Sequence, residues 1–165
     1  MKNENYDFPC VSERQEKTKI KRIVITASLC SDADQQAKEL MNTRCQRSFH
    51  YIIGDDGKLV YGLPEDKRAW GVRNKLVDSE SICICVCTDG SKGCIVSDAA
   101  VNTIVQLCAD ICKRYKFEPY CNGTDSGSVF LYYAGGCLRG NISAIIALII
   151  KEMGETKKRK GGTKK

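Results

Sequence analysis

Histidine is nearly missing from this chain: His50 is the only one in 165 residues. That excludes a His-rich metal site and leaves at most a pairing of His50 with Cys30, Cys45 or Cys85 for nucleophilic work. A lone histidine in an apolar strand is more often a structural residue. Long apolar runs are missing too. The longest, Ile142 to Ile150 broken by Ser143, falls far short of the ~20 residues that span a bilayer. The opening MKNENYDF has no apolar stretch behind a basic start, so no secretory signal is expected. No Cys-x-x-Cys occurs among the 11 cysteines, which removes the turn-borne redox and zinc motifs. Gly54-Asp-Asp-Gly57 lacks the lysine and following helix of a phosphate loop. No internal repeat is present.

What remains is an ordinary one-domain composition, 42% hydrophobic and 28% charged. The net charge of +6 belongs to the C-terminal end, where Lys157, Lys158, Arg159, Lys160, Lys164 and Lys165 follow the last acid, Glu155. The body is neutral. Residues 155–165 are therefore expected to form a disordered basic tail, a solubilising end with at most weak attraction for anionic polymers. Residues 1–18 are polar and lack periodicity, and read as an N-terminal extension that lies across the surface or stays mobile. The domain proper is expected over residues 19–154. Without a signal, the cysteines are expected as reduced thiols in a cytoplasm, serving as small apolar residues.

The elements follow from periodicity. Ile20 to Ala27 is rich in β-branched residues and reads as a buried central strand. Ser31 or Asp32 can cap a helix with Ala37, Leu40, Met41 and Cys45 on one face, ending near Arg47. In Ser48 to Trp70, Phe49, Tyr51 and Ile53 alternate with Ser48, His50 and Ile52. Asp56-Gly57 then breaks the run before Leu59-Val60-Tyr61 resumes it, which predicts a hairpin. Gly71 to Glu80 is expected as a polar loop and Ser81 to Thr88 as a strand. On it Cys83, Cys85 and Cys87 share one face at ~6.6 to 6.8 Å spacing, too far apart to chelate one zinc. Ser97 caps the clearest helix, with Val101, Ile104, Val105, Cys108, Ile111, Cys112 and Tyr115 in its stripe. Phe117 to Cys121 is expected as a short last strand, Asn122 to Gly140 as a glycine-rich loop, and a final helix places Ile142, Ile145, Ile146, Ile149 and Met153 inward. The order β α β β β α β α predicts an α/β fold: a single mixed sheet of about five strands flanked by three main helices.

His50-Tyr51, Asp56-Gly57 and Ala69-Trp70 fall in an order and spacing that resembles the zinc-dependent N-acetylmuramoyl-L-alanine amidases and the related peptidoglycan recognition proteins. The resemblance extends over about Ile20 to Met153. Such proteins carry a histidine ligand at the end of the first core strand, where this chain has Thr26. A second histidine ligand corresponds to Thr124, with Asn122 the alternative, and the third ligand position keeps its cysteine, Cys137. The assisting tyrosine and glutamate of the family correspond to Phe49 and Cys85. Two threonine hydroxyls and one thiolate are a poor donor set for zinc, and neither phenylalanine nor this cysteine replaces a carboxylate in proton transfer.

The resemblance thus implies a degenerate member in which Thr26, Phe49, Cys85, Thr124 and Cys137 are relics of a catalytic site, with no catalytic residue and no zinc expected. Tyr61, Arg68, Trp70 and Arg73 are the expected binding residues of the old groove, with a core role for Trp70 the equal alternative. The expected use is binding: a muropeptide, another small ligand, or protein partners in a larger, phage-like assembly. A working amidase with a rebuilt site is the alternative.

Overall fold

The computed structural model describes residues 6–90, 95–121, 127–131 and 142–161, with side chains of the last helix described to residue 154. An inner strand of its main sheet is β2, Arg22–Ser28, whose IVIT core is wholly buried. Parallel to it on one side lies β6, Ser81–Cys87, with Thr26 opposite Cys85 and Ser28 opposite Cys87. Beyond β6 come β3, Tyr51–Ile53, parallel to it, and β4, Leu59–Tyr61, antiparallel to β3. On the other side of β2 lies β7, Val129–Leu131, also parallel. Two central strands buried on both faces explain the near-continuous apolar runs in their sequences.

The faces divide by alternation. Ile23, Ile25, Ile82, Ile84, Val86, Tyr51 and Ile53 pack toward helices α3, Asp98–Tyr115, and α4, Ile142–Gly161. Cys83, Cys85, Cys87 and Ile52 face the other way, against α1, Ala33–Leu40, and Phe8. Helix starts follow the capping residues: Asp32 accepts from the Gln35 N–H at 2.7 Å and Ser97 from the Ala100 N–H at 3.1 Å. The hairpin turns on Gly57, whose φ of 81° suits a residue without Cβ. This is the mixed sheet with three main helices that the periodicity predicts.

Several local expectations differ from the structure. The N-terminal extension is part of the fold from Tyr6 onward: β1, Val11–Glu13, pairs antiparallel with β5, Lys67–Ala69, in a second, two-stranded sheet, and Phe8 and Cys10 are buried. Helix α1 ends at Leu40, leaving Met41 exposed. Asn42 then accepts from the Arg44 N–H to make a 3-10 turn over Thr43–Cys45, and Gln46 at φ 49° stops it. Part of the expected loop before β6 is a short helix, α2, Lys75–Ser79, capped by Asn74. Phe49 does not share a face with Tyr51. The chain bends at His50, whose N–H and C=O bond Cys83 and Gly62, and Phe49 turns to the thiol face.

The last strand comes from residues 129–131, not 117–121. The Tyr120 carbonyl accepts from the N–H groups of both Ser128 and Val129, and this draws Val129–Leu131 alongside β2. Gly127, at φ 131°, crosses so near that a Cβ would lie 2.4 Å from the Tyr120 oxygen. Helix α4 runs on to Gly161, so the backbone at 155–161 is helical and not the disordered start of a tail. Among the described residues no helix is long and apolar enough to cross a membrane.

Candidate functional site

Two of the five positions matched by resemblance, Thr26 and Cys85, lie side by side where β2 and β6 approach their C-terminal ends, the edge at which parallel sheets usually present ligand sites. Phe49 shares the thiol-lined cluster with Cys85 but lies toward the start of β6, where a Cβ on Gly71 would be 2.7 Å from Cys83 and 3.6 Å from the Phe49 ring. Thr26, Cys85 and Phe49 are each 2% exposed. The Thr26 Oγ1 is buried and has no hydrogen-bond partner among the described residues. Thr124 and Cys137 lie outside the described residues. The bridge that brackets Thr124, Cys121 to Gly127, closes beside Ser128, whose carbonyl bonds the Ile23 N–H, three residues before Thr26.

Zinc does not fit the described part of this site. Opposite Thr26 on β6 stands the Cys85 thiol, and no group of three His, Cys, Asp or Glu side chains able to hold a metal occurs among the described residues. The imidazole that zinc would want is committed elsewhere. His50 is fully buried; its Nδ1 accepts from the Cys83 N–H at 2.9 Å and its Nε2 lies 3.1 Å from the Lys67 carbonyl. A backbone N–H can only donate, so Nδ1 is unprotonated and Nε2–H donates to Lys67. Burial, with the Arg14 guanidinium 3.1 Å away, pushes the imidazole down from 6.5 to about 4. It is a neutral structural residue, and its fixed tautomer closes the Cys–His reading.

Arg14 is the piece that sequence reasoning missed. Its guanidinium donates to the carbonyls of Glu65 at 2.9 Å, Asp78 at 3.2 Å, Ser81 at 2.6 Å, and Ser79. One side chain thereby ties β1 to the β4–β5 loop, to α2 and to β6. The signal for it was the alternation of Phe8 and Cys10, which marks a segment that packs. Behind it, Asp78 is fully buried; its Oδ1 accepts from the Val72 N–H at 3.0 Å and lies 3.7 Å from the Cys83 sulfur. Burial raises both the Asp78 carboxyl and the Cys83 thiol. Gly71 makes this approach feasible, since a Cβ there would lie 2.7 Å from the Cys83 side chain.

Of the expected binding residues, Arg68 and Trp70 meet. The Arg68 guanidinium carbon lies 5.8 Å from the Trp70 ring centroid, a cation–π distance, and both side chains donate to Ser12 Oγ, at 2.8 and 2.9 Å. Trp70 is half-buried, so it is anchored from below by β1 while part of it reaches solvent. Arg73 is exposed at φ 56°, just ahead of α2. Tyr61 sits apart from this group: it stacks edge-on to Tyr51 at 5.7 Å, on the α3 side of the sheet. A separate open cleft of about 490 Å³ lies past the end of β2, lined by Ser28, Leu29, Cys30, Ser31, Gln35 and Glu39.

The mixed five-stranded sheet with helices on both faces defines an amidase-type domain. The family model described as N-acetylmuramoyl-L-alanine amidase matches residues 16–125, more than half of the chain, and the chain belongs to that family. Solved structures with this fold include the Staphylococcus aureus hydrolase AmiA in complex with its ligand, 18% identical over 89% of this chain and 81% of that one, TM-score 0.64. PlyL is 20% identical over 79% and 84%, TM-score 0.60. A mutant endolysin from Bacillus subtilis is 16% identical over 90% and 94%, TM-score 0.59. No curated protein sequence matches the chain.

Proposed function

We propose that this is an inactive amidase-like domain, one that has given up hydrolysis and keeps the scaffold to bind a cell-wall fragment of the muropeptide class. The observation that carries the reading is the burial of Thr26, Phe49 and Cys85 as interior packing, 2% exposed each, with no group of metal-holding side chains among the described residues and the one imidazole, His50, committed to the Cys83 N–H and the Lys67 carbonyl. A hydrolytic site needs an activated water and a group to take its proton. The site's described residues offer neither. Thr124 and Cys137 complete the degenerate set in this reading, and Cys137 alone is a competent zinc donor.

Binding falls to Arg68 and Trp70. A half-buried indole under a guanidinium presents an apolar plate for a sugar ring or lactyl-peptide stem beside a cation for its carboxylates. Arg73 is an exposed neighbour in sequence, and Tyr61 is left out of this surface. The test is elemental analysis and wall-substrate turnover on the purified protein, alongside tryptophan fluorescence titrated with muropeptides. The expected result is less than a tenth of an equivalent of tightly held zinc, no solubilised peptidoglycan, and saturable quenching. About one zinc per chain with turnover would overturn the proposal in favour of a working amidase with a rebuilt site. Absence of both turnover and muropeptide binding would turn the reading to a protein partner.

A further inference from the structure

The thiols at the C-terminal end of β2 and β6 have a geometry that core packing does not call for. Cys30 Sγ donates to the Asp32 carbonyl at 3.3 Å, and Cys87 Sγ points to the same oxygen at 3.9 Å. Two sulfurs converging on one oxygen can be at most about 7 Å apart. They come from different elements: Cys30 from the turn after β2, Cys87 from the last position of β6, where it pairs with Ser28. Their exposure differs. Cys30 is half-buried and lines the 490 Å³ cleft, while Cys87 is 0% exposed behind it, with Cys85 next on the same strand face. The turn that carries Cys30 is pinned at both ends, the Ser28 carbonyl accepting from the Thr88 N–H and hydroxyl and the Ser31 carbonyl from the Asp55 N–H; between them Leu29 is 69% exposed and the Cys30 N–H makes only a 3.3 Å contact with the Ser28 hydroxyl.

We propose that Cys30 and Cys87 are a modification site, a dithiol at the cleft that a peroxide closes to a disulfide. The order of events follows from access. Cys30, as thiolate, attacks one peroxide oxygen and the O–O bond breaks, giving the Cys30 sulfenic acid and one water once the thiol proton is counted. The Cys87 sulfur then attacks the sulfenyl sulfur; the S–O bond breaks, and the hydroxyl leaves with the Cys87 proton as a second water. Two electrons pass from two thiols to the peroxide. Closure needs the sulfurs to come to ~2 Å, a movement that falls to the Cys30 side chain and to Leu29–Cys30 between the two pinned ends, while β6 stays in place. Cys45, an exposed thiol among the described residues, bonds the Glu39 carbonyl at the far end of α1, roughly 10 Å along the helix from Asp32. It is out of reach of Cys87. The disulfide would tie the β2–α1 turn to β6 across the cleft wall; this inference does not depend on what the domain binds.

The experiment is to treat the full chain with hydrogen peroxide, count free thiols after denaturation, and map tryptic peptides without reduction. Wild type should lose about two thiols per chain, reversibly with dithiothreitol, and yield peptide 23–38 joined to peptide 76–92 with fragment ions placing the link at Cys87. Cys30→Ser, at a half-buried position that tolerates a hydroxyl, should abolish the link and the paired thiol loss. Trapping with dimedone should label Cys30 in Cys87→Ala, and much less in wild type. A wild-type chain in which Cys30 is over-oxidised without a link, or linked to Cys45 or Cys85, overturns the proposal, and that readout needs no variant to fold.

Discussion

The buried imidazole makes this protein sensitive to mild acid. Protonating His50 would place a proton on Nδ1 against the Cys83 N–H and a second cation beside Arg14, 3.1 Å from Nε2. Its folded value of about 4 lies below the ordinary 6.5, so only the unfolded chain takes up the proton as pH falls through 6.5. Stability is therefore complete above 6.5, declines as pH falls, and stops declining on this account below 4. The 2.5-unit gap corresponds to about 3 kcal/mol in all, about 2 kcal/mol of it lost by pH 5. Carboxylates held below their usual range, Asp34, Glu65 and Glu80, add losses at lower pH. Asp78 is raised and has the opposite sign, gaining stability for the fold as it protonates. The assay is urea unfolding at pH 7.5, 5.5 and 4.5 for wild type and His50→Asn, whose amide oxygen can still accept from Cys83. The variant should be less stable at pH 7.5 by about 1 to 3 kcal/mol for its orphaned carbonyl, with a flatter dependence on pH. An equal slope in both proteins would refute the assignment of a neutral, tautomer-locked His50.

Arg14→Ala should cost about 2 to 4 kcal/mol in urea unfolding, because four carbonyl acceptors lose a charged donor and β1 loses its tie to β6; Arg14→Lys should not restore it, since a single ammonium cannot reproduce the fork. Trp70→Ala should abolish muropeptide binding, read by calorimetry because Trp70 is the chain's one tryptophan, while costing less than the ~3 to 5 kcal/mol of a fully buried aromatic. A collapsed thermal melt would assign Trp70 to the core instead. Gly71→Ala should destabilise by about 1 to 3 kcal/mol through overpacking, its Cβ falling 2.7 Å from the Cys83 side chain.

Local chemistry made much of the architecture legible. β-Branched runs mark β2 and β6, a 3.6-residue stripe marks α3, Ser97 and Asp32 mark helix starts, and Asp56-Gly57 marks the hairpin, because each is decided by residues within a few positions of one another. The residue types at Thr26, Phe49 and Cys85, on which the proposed loss of the metal site rests, were likewise visible. Other features needed distant partners. Val11–Glu13 and Val129–Leu131 become strands only because β5 and β2 offer free edges to them, and no periodicity in three residues can announce that. Arg14 became a tie because four carbonyls of other segments converge on it. His50 was one of 165 letters until the Cys83 N–H and Lys67 carbonyl fixed its tautomer. The chain spelled out its strands and helices; tertiary contact decided which polar groups were sealed in and which, at Arg68, Trp70 and Cys30, still meet the solvent.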